Sequence, residues 1–196
     1  MLEIASSSTD RLVRLVNEVL YFNRLDADGA SVNRQPATTE EVVREAVDAM
    51  QPLASSNCQM IRGEWCGGSI ALDRDRIHQV LINLIQNATK FSPSLSIITV
   101  RACPVGNEVQ FEVADEGRGV PEGNLESIFD PFFQVEAGDA RSQSGTGLGL
   151  AIRRGIVELH GGQIWAENRH PRGTSVKFTI PLTQTIEEPW AARAAS

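Results

Sequence analysis

The chain has 196 residues, 25 acidic and 18 basic, with a formal net charge of −7 at neutral pH. Hydrophobic residues at 41% and charged residues at 22% are ordinary for a globular chain with a real core, and the length lies between one and two domains of about 150 residues each. The acidic balance excludes a broad nucleic-acid surface, which needs clustered Lys and Arg to displace counterions. No apolar run approaches the roughly 18 residues of a membrane span and no leader pattern opens the sequence, so the expected location is cytoplasmic.

Cys58, Cys66 and Cys103 are odd in number and contain no C-x-x-C pair. Neither a disulfide framework nor a zinc knuckle is expected, and the thiols read as small side chains in a reducing compartment. His78, His160 and His170 lie too far apart in sequence to suggest a metal cluster.

Residues 6–28 have helical periodicity: Leu12, Leu15, Val16, Val19, Leu20, Phe22 and Leu25 recur at three- and four-residue spacing, and Asp28-Gly29 ends the pattern. So wide a stripe needs a partner, either the next domain or another copy of the same helix. A short strand is expected within 30–37. Thr38 with Glu41 forms a capping-box pattern before a helix whose stripe is Val42, Val43, Ala46, Val47, Met50 and Leu53. Strands are expected at 57–63 and 69–72. Asp73 caps a helix running to about Lys90, where Ser92-Pro93 stops it.

Residues 96–102 and 108–114 read as a hairpin through Val105-Gly106-Asn107. A short helix at 121–129 precedes a loop of low apolar content at 132–144. A helix at 147–159 ends at His160-Gly161-Gly162, and strands at 163–168 and 174–181 close the body. Residues 183–196 carry no period and read as a frayed tail. The order does not alternate regularly enough for a doubly wound sheet. It predicts an α+β fold, a mixed sheet with helices on one face.

Three constellations carry chemistry. Asn83, Asn87 and Lys90 fall at i, i+4 and i+7, one ridge beside the apolar stripe of their helix. Two amides and an ammonium so placed suit a metal-bound polyphosphate, since an amide oxygen is a fit ligand for Mg²⁺; a plain polar shoulder is the alternative. Asp115 ends a strand in phase with Val109, Phe111 and Val113 and so projects from the buried side. A carboxylate there needs a donor, either the amino group of a bound base or a structural backbone amide. Gly145, Gly147 and Gly149 run straight into a helix, a spacing that turns backbone N–H groups toward a phosphate or serves as a hinge. Between them, Ile128-Phe129-Asp130-Pro131-Phe132-Phe133 is an aromatic cluster able to anchor one end of segment 134–144 or simply to pack in the core.

In chain order these pieces resemble the catalytic, ATP-binding domain of sensor histidine kinases, within the superfamily that includes gyrase-type and heat-shock chaperone ATPases. Asn83-Leu-Ile-Gln-Asn87-Ala-Thr-Lys90-Phe-Ser is similar to the family's N box and Asp115-Glu-Gly-Arg-Gly119 to its first glycine box. Phe129-Asp-Pro-Phe-Phe133 resembles the F box, Gly145-Thr-Gly-Leu-Gly149-Leu the second glycine box, and Arg172-Gly173-Thr174 the last glycine-threonine element. Each is weak alone; five in order over about 100 residues are specific. Residues 12–29 resemble the second helix of the family's dimerising hairpin.

The resemblance implies a two-layer sandwich of a mixed sheet with about three helices on one face, the Bergerat-type ATP-binding fold, preceded by one long helix. Residues 1–29 would be the partial hairpin, 30–182 the ATP-binding domain and 183–196 a disordered tail. ATP and Mg²⁺ are the implied ligands. Asp115 would accept the adenine amino group, Asn87 would ligate Mg²⁺, and Asn83, Lys90 and Arg141 would serve phosphoryl transfer. Phe91, Gly117, Gly119, Phe132, Gly145, Thr146, Gly147, Leu148, Gly149 and Thr174 would complete the nucleotide site, and 134–144 would be an ATP lid.

The family's phosphoacceptor histidine is usually followed by an acidic residue, whereas His78 is followed by Gln, His160 by Gly and His170 by Pro. The acceptor would therefore lie on a hairpin helix absent from this sequence, and the chain alone is expected to bind ATP without phosphorylating itself. The implied partners are that helix, a response-regulator receiver domain, and a second copy through residues 12–25. Hydrolysing members of the superfamily carry a glutamate at the position of Asn83; an amide cannot deprotonate water, so transfer is expected over hydrolysis. The alternative is a nucleotide-gated protein-binding module, like the related anti-sigma kinases, without phosphotransfer.

Overall fold

The computed structural model describes residues 32–135 and 146–182. The expected helix at 6–28 with its self-association stripe, Arg141, Gly145 and the tail from 183 lie outside the described residues. The elements are β1 (Gln35–Thr38), α1 (Thr39–Ser56), β2 (Met60–Trp65), β3 (Ser69–Leu72), α2 (Arg74–Phe91), β4 (Ile97–Val105), β5 (Glu108–Ala114), two 3₁₀ turns (Glu122–Asn124 and Ser127–Phe129), α3 (Gly149–Leu159), β6 (Ile164–Asn168) and β7 (Thr174–Pro181). No helix among them is long and apolar enough to cross a membrane.

Strand alternation sets the layers. Ile98, Val100 and Ala102 of β4, Val109, Phe111 and Val113 of β5, and Phe178 and Ile180 of β7 are buried, and they face one side of a five-stranded sheet ordered β2-β4-β5-β7-β6. β2 pairs parallel with β4 through the β3–α2 crossover, and the remaining pairs are antiparallel. β1 and β3 form a separate two-stranded ribbon. Val42, Val43, Ala46 and Met50 of α1, Ile77, Leu81, Leu84 and Ile85 of α2, and Ile152, Ile156 and Val157 of α3 complete one core with that face. Each buried Val, Leu, Ile, Met or Phe side chain among them contributes about 1.5–3 kcal/mol of burial. Phe111 stacks on Phe178 at 4.8 Å. The opposite face is polar: Arg101 bridges Glu64 and Glu112, and Ser175 donates to Glu112.

The helix starts follow from their caps. Thr38 Oγ1 accepts the Glu41 N–H at 3.1 Å while Glu41 accepts the Thr38 N–H at 2.8 Å, and Asp73 Oδ1 accepts from Arg76 N at 3.2 Å.

Four expectations need correction. Leu53 is 42% exposed, so the apolar stripe of α1 is narrower than the periodicity implied. The helix expected at 121–129 is instead two 3₁₀ turns, because Gly123 weakens its first turn and Phe129 is its single buried side chain; that is too little apolar face to hold an α-helix. Residues 57–59 are not strand, and Gln59 instead closes the C-terminus of α2, its Nε2 donating to the carbonyls of Thr89, Ser92 and Pro93. The fourth concerns the thiols. Cys66 and Cys103 are disulfide-bonded, with Cα atoms 4.8 Å apart, because the parallel register that sets Trp65 opposite Ala102 brings the next residue of each strand side by side. Cys58 is the free thiol and is exposed.

Candidate active site

Asp115 lies one residue past β5 and is 8% exposed. Its Oδ1 accepts two backbone N–H groups, Gly117 at 2.7 Å and Thr174 at 3.1 Å. Among the described residues no hydrogen bond is made to Oδ2. Burial, the largest effect, holds the carboxyl above its ordinary range, opposed by those two N–H donors and by the Arg169 guanidinium. Arg169 also donates to the Asp115 carbonyl at 2.9 Å. One carboxylate oxygen is thus committed to structure, while the other is a strong acceptor for a ligand donor.

The walls around Asp115 are glycine because nothing larger fits. A Cβ on Gly173 would lie 2.0 Å from the Asp115 carbonyl oxygen, and its φ of +107° already favours glycine. A Cβ on Gly117 would lie 2.7 Å from the Phe91 carbonyl oxygen. Gly119 sits against the Asn168 carboxamide, which accepts from Val120 N at 2.9 Å and donates to Val120 O at 2.6 Å. The end of β6 thereby pins the 117–120 turn.

α2 carries the amide ridge. Asn83 and Asn87 are half-buried and Lys90 is exposed. The Asn83 Oδ1 is buried without a hydrogen-bond partner, and its amide lies 3.4 Å from where a Cβ on Gly149 would be. Asn87 makes no side-chain hydrogen bond to another described residue. No cluster of three or more His, Cys, Asp or Glu capable of holding a metal occurs among the described residues. An orphaned amide oxygen beside a second amide, without a carboxylate cage, suits Mg²⁺ that keeps its waters and phosphate ligands.

The glycine turn closes the other side. The Phe132 N–H donates to the Gly147 carbonyl at 2.9 Å, and a Cβ on Gly147, whose φ is +74°, would lie 2.7 Å from the Phe132 backbone. Thr146 Oγ1 accepts the Leu148 N–H at 3.2 Å, Leu148 is buried, and Gly149 begins α3. The aromatic cluster does not form as a unit. Phe129 is buried, but Phe132 is 66% exposed with φ +64°, and it anchors the segment through its backbone.

The structure therefore brings Asn83, Gly147, Leu148 and Gly149 together through the packing of α2 and α3, and Asp115, Gly117, Phe91 and Thr174 together at the sheet end. Sequence reasoning missed Arg169 and Asn168, which brace the Asp115 turn, and Arg118, whose guanidinium lies over Phe91. Asn168-Arg169 just after a strand, ahead of the Gly173-Thr174 element, was the available signal.

A two-layer α+β sandwich with this strand order, a carboxylate at the end of an inner strand and a glycine turn feeding a helix defines the ATPase-type class of α+β domains. Residues 72–184 match the family described as histidine kinase-, DNA gyrase B- and HSP90-like ATPase, and the chain belongs to it. It is 33% identical over 193 residues to the sensor histidine kinase WalK of Bacillus subtilis, covering 96% of this chain and 31% of WalK. The crystal structure of full-length ShkA in complex with AMPPNP superposes with a TM-score of 0.79 at 30% identity, over 89% of this chain and 36% of ShkA. The histidine kinase ThkA in complex with the response regulator TrrA superposes with a TM-score of 0.74 at 30% identity, over 92% of this chain and 50% of that chain. This chain thus spans about a third of WalK.

Proposed function

We propose that this chain is the catalytic domain of a sensor histidine kinase, which binds Mg²⁺-ATP and transfers the γ-phosphoryl group to a histidine on a hairpin helix outside it, for onward transfer to a response regulator. Residues 30–182 form the ATP-binding unit in this reading, with 1–29 the second hairpin helix and a site of self-association, and 183–196 a tail. The observation that carries it is Asp115: a buried carboxylate with one oxygen held by two backbone N–H groups and the other left to accept the adenine amino group. The relatives named above support it.

Asn87, with Asn83 beside it, would hold Mg²⁺, which supplies charge neutralisation on the phosphates. Lys90 and Arg141 add positive charge along the transferring group. Gly147 offers a backbone N–H next to the start of α3, whose dipole favours an anion, and the Leu148 N–H would join it on leaving Thr146 Oγ1. The acceptor imidazole nitrogen forms a bond to the γ-phosphorus as the bond to the β–γ bridging oxygen breaks and ADP leaves. Positioning and electrostatics supply the acceleration. Asn83 cannot take a proton from water, which favours transfer over hydrolysis.

The test is calorimetric titration of Mg²⁺-ATP followed by γ-labelled ATP with a separately supplied hairpin bearing the acceptor histidine. Binding and label on the hairpin, with none on this chain alone, are expected. Binding without transfer to any hairpin would make the chain a nucleotide-gated binding module instead.

A further inference from the structure

We propose that Cys66 and Cys103 form a reversible thiol–disulfide modification site, exchanged in the folded protein by low-molecular-weight thiols and their disulfides, whose state is read at the start of α1. The site stands whether or not the chain binds ATP.

The bond lies at the rim of the sheet, away from the core. Cys66 follows β2, which is an edge strand, and Cys103 is on β4 beside it. On β4 the buried residues Ile98, Val100 and Ala102 face the helices, so Cys103 falls with Arg101 on the opposite, polar face. Cys66 is exposed and Cys103 half-buried. Exchange needs a thiolate to reach one of the two sulfurs. Cys66 offers that approach without unfolding.

The backbone keeps the two sulfurs neighbours in either state. The Cys66 N–H donates to the Ala102 carbonyl at 3.1 Å, which continues the ladder past the Trp65–Ala102 pair. In reduction, an external thiolate bonds to Cys66 Sγ as the Cys66–Cys103 bond breaks, and Cys103 leaves as a thiolate. A second external thiolate then attacks the outer sulfur of the mixed disulfide and releases Cys66. Two electrons enter the protein, both of its sulfurs take up protons, and two small thiols become one disulfide. Oxidation is the reverse, and its second step is intramolecular because the ladder holds Cys103 beside the mixed disulfide.

The consequence lies one turn away. Gly67 and Gly68 follow Cys66 with φ of +78° and +106°, so with the sulfur released this stretch has wide backbone freedom. The Gly68 carbonyl accepts the Thr39 N–H at 3.1 Å. Thr39 is the buried first residue of α1, and its cap Thr38 pairs with Ser69 in the β1–β3 ribbon. The bond thus anchors one end of a short path from the sheet edge to the N-terminus of α1, where the chain enters through β1.

The experiment equilibrates the full chain, and its Cys58→Ser variant, with mixtures of reduced and oxidised glutathione, then alkylates the thiols and weighs the products. Amide spectra and hydrogen exchange are recorded in both states. Expected are interconversion at a rate proportional to glutathione concentration and unaffected by low urea, and the same behaviour in Cys58→Ser. In the reduced protein the Thr39 and Ser69 amides should shift, and Thr39 should exchange about 10-fold faster through a urea-independent local opening. Cys66→Ser should show the reduced pattern under every mixture. Reduction only at the rate of global unfolding would make the bond purely structural and overturn the proposal. So would a persistent mixed disulfide with glutathione, loss of the exchange in Cys58→Ser, or reduction that leaves Thr39 unchanged.

Discussion

The buried ring of His160 joins α3 to α2 through Asp73: its Nε2 accepts the Asp73 backbone N–H at 3.2 Å, while Nδ1 pairs with the Ile156 carbonyl at 2.8 Å. Only the neutral imidazole with its hydrogen on Nδ1 satisfies both partners. Arg34, from the chain leading into β1, donates to the His160 carbonyl at 2.9 Å. Burial chiefly pushes the imidazole below its ordinary value of 6.5; Arg34 and Arg76 push the same way, and Ile156 and Asp73 oppose them. With the folded-state value depressed, the unfolded chain takes up the proton first as pH falls. Stability is therefore full above about 6.5 and declines as the pH drops below it. Thermal melts from pH 8 to pH 5 should show that decline. His160→Gln should melt lower at pH 8 but with a flatter profile; an unchanged slope would assign the pH dependence to other groups.

Burial disfavours the Asp115 carboxylate while two backbone N–H groups and Arg169 favour it, so its removal should separate stability from binding. Its folded-state value lies above the unfolded one, so its contribution to stability is greatest in acid and is lost as pH rises through the folded value. Asp115→Asn keeps an oxygen for Gly117 and Thr174 while deleting the charge. At pH 7.5 it should melt no lower than the wild type yet lose about 1–3 kcal/mol of Mg²⁺-ATP affinity. Asp115→Ala, which strands both N–H groups, should melt lower. If Asp115→Asn binds as well as wild type, the carboxylate is purely structural.

Two glycines offer opposite outcomes for one substitution. Gly173→Ala places a methyl 2.0 Å from the Asp115 carbonyl oxygen at φ +107°, and urea denaturation should show a loss of more than about 2 kcal/mol. Gly123→Ala meets nothing within 4 Å and has no positive φ, so it should be neutral or stabilise by up to about 1 kcal/mol. Similar losses at both would mean that the turn at 173 relaxes freely.

The Cys66–Cys103 bond closes 37 residues of sequence. Reduction, or either Cys→Ser change, should lower unfolding stability by about 2–4 kcal/mol. The double variant should lose no more than either single one. Additive losses would indicate two separate thiols.

Local chemistry made much of this molecule readable in advance. The Thr38–Glu41 box and the Asp73 cap depend on residues three apart, and Asp115 was placed inward by the phase of Val113 alone. Both donors imagined for Asp115 keep a place, since backbone amides occupy one oxygen and leave the other. The disulfide was hidden because it depends on parallel register between strands separated by a whole helix, which no local pattern encodes. The place of Arg118 over Phe91 was hidden likewise, because the ring belongs to another element. The 121–129 turns were misread because a short apolar periodicity does not say whether enough partners exist to bury it. Nothing in the spacing of the phenylalanines said that Phe132 would bond through its N–H rather than its ring.

The Phe132–Gly147 pairing also sets a rule for sequence change. The chain between these two residues leaves and returns at one fixed point, so its length is decoupled from the sheet and helices. Doubling such a closed span costs only about 0.6 kcal/mol of closure entropy. A change of sequence length between Phe132 and Gly147 should therefore leave these two residues, and the body beneath them, in place.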